Sequence, residues 1–332
     1  MSKRWLKLLL SALFVAVGVV GVVEPAAADS DGVVRFATLP KPGAGHPEGI
    51  AADAAGRIYA ATFDFVNPNV ILVFGRNGQL EATISLPAGT LPLGLNFDAK
   101  GNLYAANFGG GDVLKFEPPF NSGSVPARTF HVCGGSGAGC GLNDVTFDAA
   151  GDMYVSDSFG GNVFKVALPG GTVTTFVSDD LLKPGSHGFP PFGANGLAFD
   201  AAGKNLYIAN TADDRILKYN LATKTLSTFA ESVNGADGIK FDRDGRLWVC
   251  ANQADEVVAL NANGRVVERR GSFDGIGPDG APRGLLFPAS IVISRGSIYV
   301  TNLALALTPA VGDEPEEDVT TFTVSRIPLH GD

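Results

Sequence analysis

The chain is short of the residues that usually carry soft-metal and redox chemistry, with 3 cysteines, 4 histidines and 2 methionines in 332 residues. No second Cys/His pair stands at zinc spacing from Cys133 and Cys140, which makes a zinc centre a poor reading of them. Positive charge is also scarce: 25 Lys and Arg against 34 Asp and Glu leave a formal charge of −9, a surface that repels nucleic acid and anionic membrane. Beyond the first residues no apolar run is long enough to cross a bilayer, and no amphipathic helical stretch of useful length occurs. The glycine-rich segment Gly134-Gly-Ser-Gly-Ala-Gly139 follows no βαβ pattern and lacks the spacing of a nucleotide fingerprint or nucleophile elbow.

The first residues have a pattern of their own. Lys3, Arg4 and Lys7 precede an uncharged apolar stretch from Leu8 to Val23, and Ala26-Ala27-Ala28 follows before Asp29. This is the pattern of a secretory signal peptide over residues 1–28, cleaved after Ala28; an uncleaved anchor would need a longer span. The mature chain, residues 29–332, is then expected to be secreted or periplasmic, free of the membrane, with a charge of about −11. In such a compartment Cys133 and Cys140, at the ends of a flexible loop, are expected to form a disulfide. Cys250, inside Leu247-Trp-Val-Cys-Ala251, reads as a small buried thiol.

Along the mature chain one phrase recurs about every 50 residues: an apolar run ending in Phe-Asp, a Gly turn, then Tyr or Trp and a short strand. The copies begin at Glu48, Leu93, Asn143, Asn195, Asp237 and, degenerately, Ala289. Turns such as Asp53-Ala-Ala-Gly56 and Asp242-Arg-Asp-Gly245 suit tight hairpins. Each copy has room for further strands, among them Arg265–Arg269 and, in the last copy, Thr320–Ile327. The expectation is all-β: one domain, a six-bladed β-propeller, with Val33-Val-Arg-Phe-Ala37 completing the last blade and closing the ring. The long connections His131–Leu142, Ser178–Ala194, Gly271–Pro288 and Leu303–Asp318 open on one face, where function usually sits. The acidic run Asp313–Asp318 reads as a solvated tip.

In a propeller, the residues opening the six inner strands converge on the axis. Here Glu48, Asn143, Asn195 and Asp237 bring oxygen from four blades, while Leu93 and Ala289 bring none. Two carboxylates and two carboxamides, without His or Cys, suit a hard cation, calcium before magnesium. The alternative is a channel mouth that is polar for solubility alone. Phe63, Phe65, Phe108, Phe159, Phe189 and Phe192 fall in loops of the same face and would make a partly apolar cup, or pack beneath those loops. Asp157, Asn210 and Asn302, at the upper ends of second strands, read as loop caps, with the cup wall as the alternative. His187 lies in the long loop before Asn195, within reach of a substrate for proton transfer; His46 stands two residues before Glu48.

The phrases Pro47-Glu48-Gly49, Ala194-Asn195-Gly196-Leu197 and Ala236-Asp237-Gly238-Ile239, in this order on a six-blade frame, resemble the SMP-30/gluconolactonase-like superfamily over essentially the whole mature chain. The resemblance implies one axial Ca2+, other divalent cations being possible, held by Glu48, Asn143, Asn195 and Asp237. It also implies Asp237 as catalytic base or nucleophile; His187, by its place in the loop before Asn195, is the second catalytic candidate. The function so implied is a secreted, calcium-dependent hydrolase of a small-molecule lactone or related ester, working as a monomer. Three positions depart from the family pattern. Gly49-Ile-Ala-Ala-Asp53 is closer to an NHL repeat than to the Glu-Gly-Pro-x-Trp of gluconolactonases, Asn143 is followed by Asp144 rather than Gly, and Ala289 stands where phosphotriesterase-like members place a His. The rival expectation is a non-catalytic NHL-like propeller that binds a ligand or protein on its upper face.

Overall fold

The computed structural model describes residues 32–41, 45–186, 190–307 and 314–329. The signal sequence read at residues 1–28, His187, Phe189, Asp313 and His330 lie outside them. Six four-stranded antiparallel sheets form six blades. Their first strands are His46–Ala52, Pro92–Phe97, Leu142–Phe147, Ala194–Phe199, Ala236–Phe241 and Pro288–Ser294. Each first strand packs against the first strand of the next blade, and the sixth packs against the first, so the ring is closed.

The recurring sequence phrase has a physical meaning at each blade. Its Asp holds the first hairpin: Gly56 N donates to the Asp53 carbonyl at 2.9 Å, Arg57 N donates to Asp53 Oδ1 at 2.9 Å, and the Tyr59 hydroxyl donates to Oδ2 at 3.2 Å. Tyr104 with Asp98, Tyr154 with Asp148 and Trp248 with Asp242 repeat the arrangement. The preceding Phe reaches the other way, edge-on to the aromatic ring of the previous blade. Tyr59 meets Phe97 at 5.0 Å, Tyr104 meets Phe147 at 4.9 Å, Tyr154 meets Phe199 at 5.0 Å and Tyr207 meets Phe241 at 5.1 Å. Such edge-on pairs add about 0.5–1.5 kcal/mol each beyond burial. The phrase is therefore a blade-to-blade joint. Blade six lacks the Asp and turns on Arg295 (φ 48°) and Gly296 (φ 71°) instead.

Closure follows the expected route. Val34–Thr38 pairs antiparallel with Thr323–Pro328, from Val34 opposite Arg326 to Thr38 opposite Thr323. Phe36, edge-on to Tyr299 at 4.8 Å, supplies the aromatic contact that blade one, with Ala52 in place of Phe, cannot make. The last strand starts at Thr323 rather than Thr320, because the N–H groups of Thr320 and Thr321 both donate to the Gly280 carbonyl. Gly280 belongs to a two-stranded hairpin, Phe273–Ile276 with Pro282–Gly284, that the repeat did not foretell within the 271–288 connection. The fourth strand of blade five is Val266–Arg270, one residue later than the pattern suggested. Cys133 and Cys140 form a disulfide, and Cys250 is a fully buried free thiol. Among the described residues no helix is long and apolar enough to cross a membrane.

Removing the closing strand leaves the edge of Thr323–Pro328 unpaired and takes Ala37 out of the core cluster that it shares with Tyr299 and Val324. A chain beginning at Leu39 is expected to melt lower than one beginning at Gly32, by roughly 5 °C or more, and to self-associate through the open edge. Thermal melting and size-exclusion chromatography of the two chains check this.

Candidate functional site

Strand register carries one residue from each blade to the same height on the axis. Pro47, Pro92, Leu142, Ala194, Ala236 and Pro288 pair with Thr62, Asn107, Asp157, Asn210, Ala251 and Asn302. The next residue on each first strand is Glu48, Leu93, Asn143, Asn195, Asp237 or Ala289, and all six are buried. Glycine after the ring residue permits close approach of neighbouring first strands: a Cβ at Gly49 would stand 1.8 Å from the Leu93 carbonyl oxygen, and one at Gly196 would stand 2.3 Å from that of Asp237. Where Asp144 replaces glycine, its carboxylate turns into the joint and accepts from Leu197 N of the next blade at 2.8 Å.

The structure brings Glu48, Asn143, Asn195 and Asp237 together on the floor of one cavity of ≈ 310 Å³. The two amides are held from outside. Asn143 Nδ2 donates to Ser158 Oγ at 3.2 Å, and that hydroxyl donates to the Ala194 carbonyl at 2.8 Å. Asn195 Nδ2 donates to Thr211 Oγ1 at 2.8 Å, and that hydroxyl donates to the Ala236 carbonyl at 2.8 Å. With both NH2 groups so engaged, the carbonyl oxygens are the free ends. Asn252 Nδ2 donates to Asp237 Oδ2 at 3.1 Å. Ser158, Thr211 and Asn252 were not anticipated from the sequence. They stand immediately after the second strand, at the level of Phe63, Phe108 and Leu303 in the other blades, a register that only strand pairing reveals.

One position earlier, the residues singled out from the sequence are loop caps and do not line the cavity. Asp157 Oδ1 accepts from the backbone N–H groups of Gly141 and Gly160, Asn210 donates to the carbonyls of Leu181 and Lys183, and Asn302 donates to Thr323 Oγ1. His46 is not directed at Glu48: its Nδ1 pairs with the Leu303 carbonyl at 2.9 Å and its ring packs on Phe322. Of the phenylalanines expected in the cup, Phe63, Phe65, Phe108, Phe159 and Phe192 line it. His187 and Phe189 lie outside the described residues.

The acids strain against their surroundings. Burial, then repulsion by Asp237 and Asp144, pushes the Glu48 carboxyl well above its usual range. Burial also raises Asp237 to about 7, against hydrogen bonds from Asn252 and Asn195 that pull the other way. Asp144, deeper in the channel, is raised by burial to about 6, although Lys240 and backbone N–H groups favour its charge. Glu48 Oε2 is buried with no hydrogen-bond partner. A buried, unpartnered carboxylate oxygen costs about 1–3 kcal/mol or more, so this atom marks a place for a cation or a proton. Among the described residues no group of three or more His, Cys, Asp and Glu is positioned to hold a metal. The donors here are two carboxylates and two carboxamides, which fit an oxygen-seeking ion such as calcium and not a soft one.

Residues 120–270 match the family described as SMP-30/Gluconolactonase/LRE-like region. The match bears out the resemblance read from the sequence for this stretch, which holds Asn143, Asn195 and Asp237 but not Glu48. No curated protein matches the chain by sequence. Solved structures share the fold at low identity. A luciferin-regenerating enzyme is 15% identical with TM-score 0.64, covering 86% of this chain and 92% of that one. A gluconolactonase from Xanthomonas campestris is 15% identical with TM-score 0.62, covering 90% and 89%. Virginiamycin B lyase from Staphylococcus aureus is 11% identical with TM-score 0.57, covering 90% and 99%.

The raised carboxyls predict an unusual pH dependence. Asp237 moves from 3.8 to about 7 on folding, so between those values the folded chain binds more protons than the unfolded one. The stability this gives is complete at low pH and is lost as pH rises through the folded value. In chelator, melting temperature is expected to fall from pH 5 to pH 8, and Glu48→Gln, which removes one of the two repelling charges, is expected to flatten the slope. Melting curves across that range decide it.

Proposed function

We propose that the protein is a secreted, divalent-cation-dependent hydrolase of lactones or related esters, working at the axial ring. The observation that carries the reading is the convergence of Glu48, Asn143, Asn195 and Asp237 on a cavity floor where Glu48 Oε2 has no partner. The family match over residues 120–270 and the gluconolactonase among the structural neighbours support a lactonase-type reaction. The disulfide suits an oxidising compartment, which agrees with an exported chain cleaved after Ala28.

These four residues would hold a calcium ion, which when bound supplies positive charge to the ester carbonyl oxygen and to the oxyanion formed on attack. The chain's own groups do the rest. Asp237 Oδ2 accepts from Asn252, leaving Oδ1 to take a proton from the attacking water. Water adds to the acyl carbon, the acyl C–O bond breaks, and the departing alkoxide receives the proton from Asp237, giving a hydroxy acid. Ser158 and Thr211 hold the amides of Asn143 and Asn195 in place. His187 is a second proton carrier in this reading.

Calorimetric titration of chelator-treated protein with calcium is expected to show one site per chain, weakened by Glu48→Gln. Hydrolysis of lactones and aryl esters in the same samples should follow occupancy, and full activity in Asp237→Ala would overturn the mechanism. Thr211→Val keeps the side-chain shape and removes the hydroxyl that holds Asn195. It is expected to lower calcium affinity by roughly tenfold or more while leaving the circular dichroism unchanged.

A further inference from the structure

The cavity is divided by polarity in a way the ring alone does not require. At the level just above the ring, blades three, four and five present Ser158, Thr211 and Asn252, whereas blades six, one and two present Leu303, Phe63 and Phe108. These are two unbroken arcs, one polar and one apolar. Most of the polar arc is engaged: Ser158 and Thr211 serve the ring amides and Asn252 Nδ2 serves Asp237, while Asn252 Oδ1 is buried with no partner. Beyond the ring, Thr211 and Asn252, the described lining is apolar, including Phe65, Phe192, Phe287, Leu305 and Leu307.

The apolar wall is built rather than loosely filled. Phe108 meets Phe63 edge-on at 6.4 Å, Phe159 at 5.3 Å and Phe192 at 6.0 Å. Phe287 is held in the left-handed region at φ 46°, with its N–H donated to Asp255 Oδ1 at 2.8 Å and its carbonyl accepting from Leu303 N. Phe65 is different: it is 70% exposed, edge-on to Phe63 at 4.8 Å, at the mouth of the cup. The loop behind it is fastened by Asp64, whose Oδ1 accepts from Val66 N and Asn67 N. An exposed aromatic fixed over an apolar cup offers a contact face that nothing in the described chain covers.

We propose that this cup selects a lactone or ester bearing an aromatic or other apolar group, and discriminates against polyhydroxylated lactones. The inference rests on the hydrolase reading for the ester end of the ligand; the preference itself follows from the wall. The ligand's carbonyl end would face the floor, with its apolar part against Phe63, Phe108 and Phe65. A sugar lactone would bring several hydroxyls against phenylalanine and leucine, and each hydroxyl buried without a partner costs binding. An aromatic ring gains from the same surface.

Lactam analogues separate preference from turnover, because they bind without being hydrolysed. Calorimetry on the calcium-loaded protein would compare 3,4-dihydroquinolin-2-one with glucono-δ-lactam. The aromatic lactam is expected to bind at least roughly tenfold more tightly. Phe65→Ser, at an exposed position where folding is not at risk, is expected to weaken the aromatic lactam by about threefold or more and leave the sugar lactam unchanged. Equal or tighter binding of glucono-δ-lactam, binding of neither, or indifference of the aromatic lactam to Phe65→Ser would overturn the proposal. Selective aromatic binding without hydrolysis of 3,4-dihydrocoumarin, the matching lactone, would support the preference and count against the hydrolase reading alone.

Discussion

Six inner strands crowd one axis, and the spacing leaves no room for side chains between neighbouring backbones where Gly49 meets Leu93 or Gly196 meets Asp237. That crowding turns residues about 50 positions apart into neighbours. It also confines the ring residues to the axis, where Glu48, Asn143, Asn195 and Asp237 open on the floor of the cup. Glu48 and Asp237 therefore share a buried mouth, where burial raises both carboxyls and the charge of Asp237 further disfavours that of Glu48. Two acids are kept in a place that disfavours them. The arrangement makes physical sense if something positive completes it, which is why the unpartnered Glu48 Oε2 carries more weight here than the shape of the cavity.

The blade joints explain how such a floor is held. The hydroxyls of Tyr59, Tyr104 and Tyr154 donate to the Asp of their own hairpins while their rings lie edge-on to a Phe of the next blade, so local turn chemistry and inter-blade packing use the same side chain. The hydroxyls of Ser158, Thr211 and Thr301 act likewise nearer the axis, donating to the carbonyls of Ala194, Ala236 and Glu48 in the following blade. Positions of the oxygen donors are thus a property of the whole ring. Asp144, a departure from the glycine pattern, fits the same scheme by bonding Leu197 N across the joint.

Much of this was legible in the sequence, because the repeat is short-range chemistry copied six times. The turn Asp, the strand-heading Tyr and the ring residues all recur at fixed offsets, which gave the blade count, the closing strand and the four oxygen donors. Legibility failed where meaning depended on register. Ser158, Thr211 and Asn252 share no residue type and no motif, and only pairing through Asp157, Asn210 and Ala251 puts them on one level. It failed also where a long connection made its own structure, as in the hairpin of Phe273–Ile276 and Pro282–Gly284, whose Gly280 carbonyl takes the N–H groups of Thr320 and Thr321 and delays the last strand.

The closing blade joins Val34–Thr38 to Thr323–Pro328, a pairing between the two ends of the described chain. During synthesis, blades one to five can form in turn, each from residues that are already adjacent. Val34–Thr38 has no partner until Thr323–Pro328 has been made, so it stays unpaired while the five blades between them are synthesised. Loop-closure entropy over such a separation makes this pairing the natural late event of folding. The axial floor, which needs blade one against blade six, is completed only at that moment. The protein therefore completes its axial floor only after blade six has been made, and joining the two ends then fixes it.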